Sequence, residues 1–298
     1  METVELEIGK AIAPIKGLSL ALGNFDGFHK GHQRLLLEAK FHGLYSGVLL
    51  FDPPPSSFLS PGPALMGLDD KERFAASMGI DYCFIVKTDR DFISMPPESF
   101  LAEVIDKIAP ESLVVGEDFR FGAGAKGDVG LLKRKYKTYV CKLLSDSKGK
   151  ISTSRIKGLL IEGKAKEAWG LLGHLYEIRG KTVKGLQNGR KIGFPTLNLS
   201  LNFPYILPKE GVYAGICYLG GMPYKAMINV GDNPSVDGPH ENHVEVHLLG
   251  YSGTDDYGKT VYVDFLYRIR DERKFTSLGE LKQQLSSDKK AVEELLKN

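Results

Sequence analysis

The chain has 298 residues, which is enough for about two domains. Its 39 lysines and arginines nearly balance its 37 aspartates and glutamates, so a nucleic-acid partner is not indicated, while a small phosphorylated ligand needs only local positive charge. The 3 cysteines are widely spaced, no apolar run is long enough to span a membrane, and the N-terminus lacks the pattern of a signal peptide. We therefore expect a cytoplasmic protein with free thiols and no membrane partner; the sequence leaves the oligomeric state open.

The first half of the chain alternates short apolar runs with helical patterns. Strands are predicted at residues 18–22, 47–51, 82–86, 113–115 and 138–141. Helices are predicted at residues 33–41, 70–78, 98–108 and 129–136. Apolar strands separated by helices are typical of a parallel sheet covered on both faces, and such sheets bind ligands beyond the carboxyl ends of their strands.

A glycine-rich turn follows the first of these strands and leads into a helix. Its residues are Gly23, Asn24, Phe25, Asp26 and Gly27. Backbone N–H groups at a helix N-terminus favour an anion, and His29 and His32, one helical turn apart, add side-chain donors at the same place. A zinc site lacks a nearby cysteine or third histidine, and ordinary capping or surface histidines are the other alternative. The strand–turn–helix context favours a phosphate site.

A second glycine motif, at residues 122–127, matches the dinucleotide fingerprint G-x-G-x-x-G. A dinucleotide-binding motif follows its strand immediately and opens a helix, whereas residues 117–121 intervene here. We therefore expect a glycine loop near the nucleotide, or a surface turn, rather than a dinucleotide site.

The pattern changes in the second half of the chain. Residues 152–172 are predicted to be mostly helical and connecting. β-rich runs follow at residues 212–218, 225–229, 243–248 and 260–269, which favours a compact antiparallel barrel. Residues 277–297 have the pattern of a terminal amphipathic helix or helix pair. We therefore expect an α/β domain at 1–160, a helical connection at 161–178, and a barrel domain with its C-terminal helix at 179–298.

Several motifs, taken in order, resemble one family. They are residues 23–33, 115–122 and 151–157 in the first half, and residues 193–198, 229–231, 244–247, 256–258 and 270–275 in the second. Together they resemble the prokaryotic bifunctional FAD synthetases, in which an FMN adenylyltransferase is joined to a riboflavin kinase. The resemblance implies an α/β parallel-sheet nucleotidylyltransferase domain followed by an antiparallel β-barrel riboflavin kinase domain with a C-terminal helix. It also implies ATP as co-substrate, Mg²⁺ as cofactor, and riboflavin, FMN, FAD and pyrophosphate as small-molecule partners.

In the adenylyl half, the resemblance implies that the FMN phosphate attacks the α-phosphorus of ATP and releases pyrophosphate. This phosphate is already ionised, so the catalytic residues His29, His32 and Lys157 would neutralise developing charge rather than act as bases. The nucleotide would also contact the glycine-rich turn, Ser152, Thr153, Ser154 and Arg155, and the flavin would contact Asp118 and Phe119. For the hydroxyl cluster taken alone, a helix N-cap is an equal alternative.

Two positions in this half depart from the family pattern. The family usually ends its serine-rich motif with an arginine, where this chain has Lys157, which can hold a phosphate but cannot bind it through a bidentate fork. The family commonly has Phe-Asp-Pro-His-Pro after the second strand, where this chain has Pro54 in place of the histidine. These departures bear on the efficiency of the adenylyl half and not on its identity.

In the kinase half, the resemblance implies that the primary alcohol of riboflavin attacks the γ-phosphorus of ATP with Glu245 as the base. We expect Glu245 to face a barrel cavity, with Val244 and Val246 pointing the other way; a solvent-facing strand glutamate is the alternative. Thr196 and Asn198 match the family's oxygen donors to Mg²⁺ and ATP phosphate, with a plain turn at 193–198 as the alternative. The remaining implied contacts are Gly180, Gly185 and Arg190 to ATP, and Asn229, Arg270, Glu272 and Phe275 to the flavin. Arg270 could instead be a surface charge.

Two competing functions use only part of these motifs. A cytidylyl- or adenylyltransferase with a different acceptor would leave the Pro-Thr-x-Asn motif of the barrel without a role. A non-catalytic flavin- or nucleotide-binding protein would not need the intact set of His29, His32, Thr196, Asn198 and Glu245. We therefore expect an enzyme that makes FMN and then FAD.

Overall fold

The structure is a computed structural model that describes residues 1–59, 61–185, 189, 192–233, 241–253 and 256–297. The chain divides into two compact units, Met1–Thr153 and Ser154–Asn298. The finer limits expected at residues 160 and 178 stay a prediction. The predicted α/β architecture followed by an antiparallel barrel and a C-terminal helix is confirmed. The 3 cysteines, Cys83, Cys141 and Cys217, are buried and free.

The first unit is built on a six-stranded sheet with the strand order β1-β4-β3-β2-β5-β8, in which all neighbours are parallel. Two short antiparallel ribbons, β6–β7 and β9–β10, lie outside it. The strands of this unit are β1 (Glu2–Leu6), β2 (Leu18–Leu22), β3 (Tyr45–Asp52), β4 (Tyr82–Lys87), β5 (Ser112–Gly116), β6 (Arg120–Phe121), β7 (Gly127–Asp128), β8 (Thr138–Cys141), β9 (Ser145–Asp146) and β10 (Gly149–Lys150).

Helices cover both faces of this sheet. They are α1 (Lys30–His42), α2 (Ser56–Leu59), α3 (Leu68–Ser77), α4 (Arg90–Ile93), α5 (Pro97–Phe100), α6 (Asp106–Ile108) and α7 (Val129–Lys135). The helix predicted at 98–108 is interrupted by a π-helical turn at Leu101–Ile105, and a short 3₁₀ turn lies at Ala123–Ala125.

Successive residues of the central strand β2 point into different cores. Leu20 packs in a cluster with residues of α5, α6 and the π turn, whereas Ala21 packs in a second cluster with Leu36 of α1 and Ala75 of α3. A strand buried on both faces is apolar without alternation, which is why β2 was recognisable in the sequence. Its carboxyl end leads directly to the glycine-rich turn.

The second unit contains a closed six-stranded barrel with the order β11-β12-β15-β14-β13-β16, antiparallel throughout. Its strands are β11 (Tyr176–Val183), β12 (Leu197–Leu201), β13 (Gly211–Leu219), β14 (Met222–Asn233), β15 (Glu241–Leu248) and β16 (Thr260–Arg270). Its helices are α8 (Thr153–Ile161), which begins at the boundary of the units, α9 (Ala165–Leu172) and α10 (Leu278–Leu295).

A single helix, α10, forms the C-terminal element, which the sequence left open as a helix or a helix pair. Ser277 caps it by accepting a hydrogen bond from the backbone N–H of Glu280. Its apolar residues, including Val292, form a cluster with Val212 and Met227 of the barrel strands. Because a six-stranded barrel has room inside only for side chains, the barrel face that contacts α10 is its outer face.

Candidate active sites

The glycine-rich turn after β2 has an unusual backbone. Phe25, Gly27 and Phe28 all have positive φ, at 50°, 81° and 38°. A left-handed backbone is costly for phenylalanine, so the surrounding structure must hold this conformation. Both phenylalanine side chains are fully buried, and their rings stack with centroids 5.1 Å apart. Packing of these two rings in the apolar core therefore holds the turn in this conformation.

Hydrogen bonds also hold the glycine-rich turn in place. The carboxylate of Asp26 accepts hydrogen bonds from the backbone N–H groups of Leu65, at 2.9 Å, and Met66, at 3.2 Å. The hydroxyl of Thr153, where α8 begins, donates to the backbone oxygen of Asp26 at 3.0 Å. The side chains of Phe25 and Asp26 thus stabilise the turn, and a nucleotide would meet these two residues through their backbone.

His29 and His32 lie at the start of α1. His29 is the N-cap residue, and its Nδ1 accepts a long hydrogen bond from the backbone N–H of His32 at 3.4 Å. The two rings stack with centroids 3.8 Å apart. Gly31 makes this arrangement possible, because a Cβ at that position would lie 3.0 Å from Cε1 of His29.

Both histidines are neutral at physiological pH. Burial lowers the pKa of His29 from 6.5 to about 4, and burial, with the neighbouring His29 second, lowers the pKa of His32 well below 6.5. In neutral His29 the proton lies on Nε2, because Nδ1 accepts a hydrogen bond. The histidines therefore offer hydrogen-bond donors to a phosphate, and formal positive charge comes from other residues.

Two lysines that the sequence analysis missed supply such charge. Lys71 of α3 is 3% exposed, and its Nζ donates to the backbone oxygen of Asn24 at 3.4 Å. Lys150 of β10 forms an ion pair with Asp118. Both ammonium groups contribute to lowering the pKa of His32, so their positive potential reaches the histidine pair. No sequence signal distinguished these lysines from surface charges.

The other predicted residues of the first half have different surroundings. Asp118 is exposed and paired with Lys150, and Phe119 stacks on Phe121 with centroids 5.8 Å apart. Ser152 and Thr153 belong to the first unit. Ser154, Arg155 and Lys157 lie on α8 in the second unit, and their approach to the glycine-rich turn stays a prediction.

In the barrel, three predicted residues lie side by side on neighbouring strands. Glu245 of β15 is the register partner of Asn198 on β12 and of Asn229 on β14. Paired residues of adjacent strands point to the same face. Gly185 lies close to Asn198, one residue of this row. A side chain at position 185 would collide with the amide of Asn198, so glycine allows the close approach.

Two cavities meet at Thr196. The larger has a volume of about 330 Å³, and its lining includes Thr196, Asn229, Glu245, Arg270, Glu272 and Phe275. The smaller has a volume of about 40 Å³, and its lining includes Gly185, Thr196, Asn198, Tyr251 and Asp256. The structure thus brings together four of the residues predicted to contact flavin in one cavity, and three of those predicted to contact ATP in the other, with Thr196 lining both.

The cavity that Glu245 faces lies on the outer side of the barrel wall, under α10. Val244 and Val246 point to the opposite face, the barrel interior, and are at most 1% exposed. Alternation along a strand distinguishes two faces but does not say which one closes inward. Burial raises the pKa of Glu245; His243 opposes this shift, and Glu272 adds to it. A carboxyl group shifted in this direction is suited to act as a base near neutral pH.

Arg270 is not a surface charge. Its guanidinium forms a fork with the carboxylate of Asp288 on α10, with Nη2 donating to Oδ2 at 2.8 Å and Nε donating to Oδ1 at 3.1 Å, and Asp288 is 2% exposed. Arg270 and Arg273 also lie over the ring of Phe275, at 5.8 Å and 4.8 Å from its centroid. These contacts tie the wall of the larger cavity to the C-terminal helix.

Gly180 and Arg190 were also predicted to contact ATP. Gly180 lies within β11, where a Cβ would be 2.8 Å from the backbone oxygen of Ser200, and its contact with ATP stays a prediction. Arg190 lies outside the described residues. Sequence reasoning missed His247, whose Nδ1 is 2.8 Å from the backbone oxygen of Pro195 and so steadies the approach to Thr196.

Comparison with known proteins agrees with this geometry. A riboflavin kinase family model matches residues 172–296, and an FAD synthetase family model matches residues 12–157. The bifunctional riboflavin kinase/FMN adenylyltransferase of Escherichia coli (strain K12) is 36% identical over 95% of this chain and 94% of its own length. The enzyme of the same name from Bacillus subtilis (strain 168) is 34% identical over 91% of this chain and 90% of its own length.

A solved structure matches the fold over nearly the whole chain. It is a crystal structure described as a macrolide-efflux protein from Streptococcus pneumoniae, which is 32% identical, with a TM-score of 0.90, and covers 98% of this chain and 99% of that one. Among the residues described here, no helix has the length and apolar character needed to cross a membrane.

The two matched regions coincide with the two sites. The glycine-rich turn together with His29 and His32, called the histidine turn below, lies in the FAD synthetase region, and the two cavities lie in the riboflavin kinase region. The chain carries both activities, phosphorylation of riboflavin to FMN with ATP and transfer of AMP from ATP to FMN with release of pyrophosphate. It belongs to the family of bifunctional riboflavin kinase/FMN adenylyltransferases.

Proposed function

We propose that riboflavin is phosphorylated where the two cavities of the barrel unit meet, and that FMN is adenylylated at the histidine turn of the parallel-sheet unit. The observation that carries the kinase assignment is the position of Thr196, which lines both cavities, beside the row of Asn198, Glu245 and Asn229. A donor in one cavity and an acceptor in the other would meet at this residue.

In the kinase step, an alcohol must lose its proton as it becomes the nucleophile. We assign Glu245 as the base that accepts the proton from the primary hydroxyl of riboflavin, while the oxygen bonds to the γ-phosphorus and ADP leaves. Its burial and raised pKa make it a stronger proton acceptor than an exposed carboxylate. Asn229, Arg270, Glu272 and Phe275 would surround the flavin in the larger cavity.

Mg²⁺ fits the residues at the junction of the two cavities. The hydroxyl of Thr196 and the amide oxygen of Asn198 are hard oxygen donors of the kind that this ion prefers. Among the described residues there is no group of three or more His, Cys, Asp or Glu side chains able to hold a metal ion. This agrees with an ion that takes most of its ligands from ATP and water, and that neutralises phosphate charge when bound.

The adenylyl step needs no base, because the attacking group is an ionised phosphate. One of its oxygens bonds to the α-phosphorus of ATP, and the bond to pyrophosphate breaks. We assign the backbone N–H groups at the start of α1, with the neutral rings of His29 and His32, as donors to the developing charge. Lys71 and Lys150 would add positive potential, and Lys157 and the 152–155 segment would hold the triphosphate.

We also propose the domain limits, the cellular compartment and the small-molecule partners expected from the sequence. The α/β domain would cover residues 1–160, the connection 161–178 and the barrel domain 179–298, and the protein would act in the cytoplasm on small molecules without a nucleic-acid partner. The near-balance of charge supports the last point.

Incubation of the protein with riboflavin, ATP and Mg²⁺, followed by separation of the flavins, tests the assignment. We expect FMN to appear first and FAD to follow, with release of ADP and pyrophosphate. Folded protein that forms neither flavin product would overturn both assignments. FMN without FAD would place the fault in the adenylyl site, where Lys157 and Pro54 depart from the family pattern.

A further inference from the structure

One side of the C-terminal helix α10 carries a line of polar side chains that neither proposed reaction uses. Glu280, Gln284 and Asp288 are spaced four residues apart, so they lie along one side of the helix, and we call them the α10 stripe. Leu281 and Leu285, each next to a member of this stripe, line the larger cavity. The stripe therefore borders the part of the helix that closes the cavity.

Asp288 forms the buried end of the α10 stripe. Its carboxylate accepts hydrogen bonds from Nε of Arg270 at 3.1 Å, from Nη2 of Arg270 at 2.8 Å, and from the amide nitrogen of Gln284 at 2.8 Å. The remaining nitrogen, Nη1 of Arg270, donates to the backbone oxygen of Asp271 at 2.9 Å. Because all three of its nitrogens are hydrogen-bonded, the Arg270 guanidinium has a fixed orientation in the cavity wall.

A second arginine of the cavity wall, Arg273, is held at the other end of the stripe. Its Nη1 donates to the side-chain oxygen of Gln284 at 3.2 Å, and its Nη2 pairs with the carboxylate of Glu280. The amide of Gln284 thus uses both its oxygen and its nitrogen, the first toward Arg273 and the second toward Asp288. The stripe therefore links two arginines of the cavity wall in one continuous hydrogen-bond network.

Both arginines lie over the ring of Phe275, which also lines the larger cavity. The guanidinium carbons of Arg270 and Arg273 are 5.8 Å and 4.8 Å from the ring centroid, within the range of a cation–π contact. The next residue, Thr276, donates to the carboxylate of Glu280 from its backbone N–H at 3.1 Å and from its hydroxyl at 2.9 Å. The stripe therefore determines where this aromatic surface of the cavity lies.

We propose that Asp288 and Gln284 are positioning residues for riboflavin recognition: through the two arginines they hold the ring of Phe275 as a surface for the flavin ring system. The inference rests on the proposed binding of riboflavin in the larger cavity. A planar aromatic ligand is bound more tightly by a ring of fixed position, because less conformational freedom is lost on binding. The network described above does not include Thr196 or Asn198, so it should affect recognition of riboflavin and not that of ATP or the phosphoryl transfer.

The test is the steady-state kinetics of riboflavin phosphorylation in the full-length protein, with KM for riboflavin, KM for ATP and kcat determined separately. Asp288→Asn removes the charge and leaves one oxygen to serve three N–H donors. We expect KM for riboflavin to rise about five- to thirtyfold, while KM for ATP and kcat at saturating riboflavin stay within about twofold of wild type. The retained kcat also shows that the barrel unit is folded.

A milder variant has a matched control on the same helix. Gln284→Ala removes the link between the two arginines but leaves the Arg270–Asp288 fork, so KM for riboflavin should rise only about two- to fivefold. Gln283→Ala changes the same type of side chain one position earlier, where it is exposed, and should match wild type. If Asp288→Asn does not fold, as judged by its melting curve, the comparison of Gln284→Ala with Gln283→Ala decides the question.

A double-mutant cycle tests whether Asp288 acts through Arg270. Arg270→Gln alone should raise KM for riboflavin, and adding Asp288→Asn should raise it less than about twofold further, because the partner of Asp288 is already absent. Full additivity of the two changes would show that Asp288 acts by another route and would overturn the inference.

Phe275→Ala, measured in parallel, separates this inference from the proposed function. If Phe275→Ala leaves KM for riboflavin unchanged, the larger cavity is not the riboflavin site and the proposed function fails with it. If Phe275→Ala raises this KM while Asp288→Asn and Gln284→Ala match wild type, only the role of the α10 stripe is rejected. A fall in kcat with KM unchanged, or equal rises in KM for riboflavin and for ATP, would also overturn the inference, since both are expected of residues that only stabilise the barrel unit.

Discussion

The histidine turn and the barrel glutamate respond to the same physical effect with opposite chemical results. Burial removes charge from both: it lowers the pKa of His29 and His32 and raises the pKa of Glu245. In the turn the result is a pair of neutral donors that suits an already ionised nucleophile. In the barrel the result is a carboxylate with increased proton affinity, which suits an alcohol nucleophile. The two reactions of one chain thus differ in whether the protein must take a proton.

The largest effect is expected when the proposed base of the barrel, Glu245, is removed. Glu245→Gln keeps the shape of the side chain but removes its basicity, so riboflavin phosphorylation should slow by roughly 10²–10⁴-fold. Adenylylation of supplied FMN should stay close to wild type, because the ionised phosphate needs no base, and it serves as the control for folding. Near-normal kinase turnover, with chemistry rate-limiting, would remove the base assignment.

The next largest effect is expected when one of the two histidines of the histidine turn is removed. His29→Ala or His32→Ala removes one donor to the developing phosphate charge, a loss that typically costs about 2.7–4 kcal/mol of barrier, or about 10²–10³ in rate. FAD formation from FMN should fall by that factor while FMN formation from riboflavin is retained. Equal losses in both reactions of a folded variant would contradict two separate sites.

The pH dependence of stability tests the electrostatics of the turn directly. Because the folded-state pKa of His29 is about 4 and its ordinary value is 6.5, the unfolded chain binds a proton between these values and the folded chain does not. The stability that this histidine contributes is fully present above 6.5 and is lost as pH falls toward 4, by about 3 kcal/mol. The melting temperature of the parallel-sheet unit should therefore fall less steeply with acid in His29→Asn than in wild type. Identical acid dependence would show that His29 is not held neutral.

A smaller effect comes from Gly31. Gly31→Ala places a methyl group 3.0 Å from the His29 ring, so the ring must shift, and we expect adenylylation to fall by a few-fold to about tenfold. Gly170→Ala on α9 is the matched control, since a Cβ there has no atom within 4 Å, and it should be neutral or slightly stabilising. Unchanged adenylylation in Gly31→Ala would show that the position of the His29 ring is not critical.

Much of the fold could be predicted because burial leaves a direct mark on the sequence. The predicted strand at 138–141 matches β8, and the run at 47–51 lies within β3. β1 was missed because it is an edge strand whose exposed positions are Glu2, Thr3 and Glu5, so no continuous apolar run marks it. β11 was missed because two of its buried positions are Gly180 and Thr182, so its alternating burial leaves no alternating apolar pattern in the sequence.

The sites were predicted where residues act close together in sequence, and missed where they meet only in three dimensions. The turn with His29 and His32 is local, so its strand–turn–helix pattern sufficed. Lys71 reaches Asn24 of the turn from 47 residues further along the chain, and His247 meets the backbone oxygen of Pro195, which lies 52 residues before it. Such contacts depend on packing between elements, which a single sequence does not encode locally.

The most direct test of two separate sites with different proton requirements is a mixing experiment. Glu245→Gln and His29→Ala proteins are incubated with riboflavin, ATP and Mg²⁺, alone and together, and the flavins are resolved over time. We expect Glu245→Gln alone to leave riboflavin largely unchanged, His29→Ala alone to accumulate FMN, and the mixture to form FAD, because FMN made by one protein is adenylylated by the other. A mixture that forms no more FAD than the two proteins do separately, although both are folded, would contradict the account.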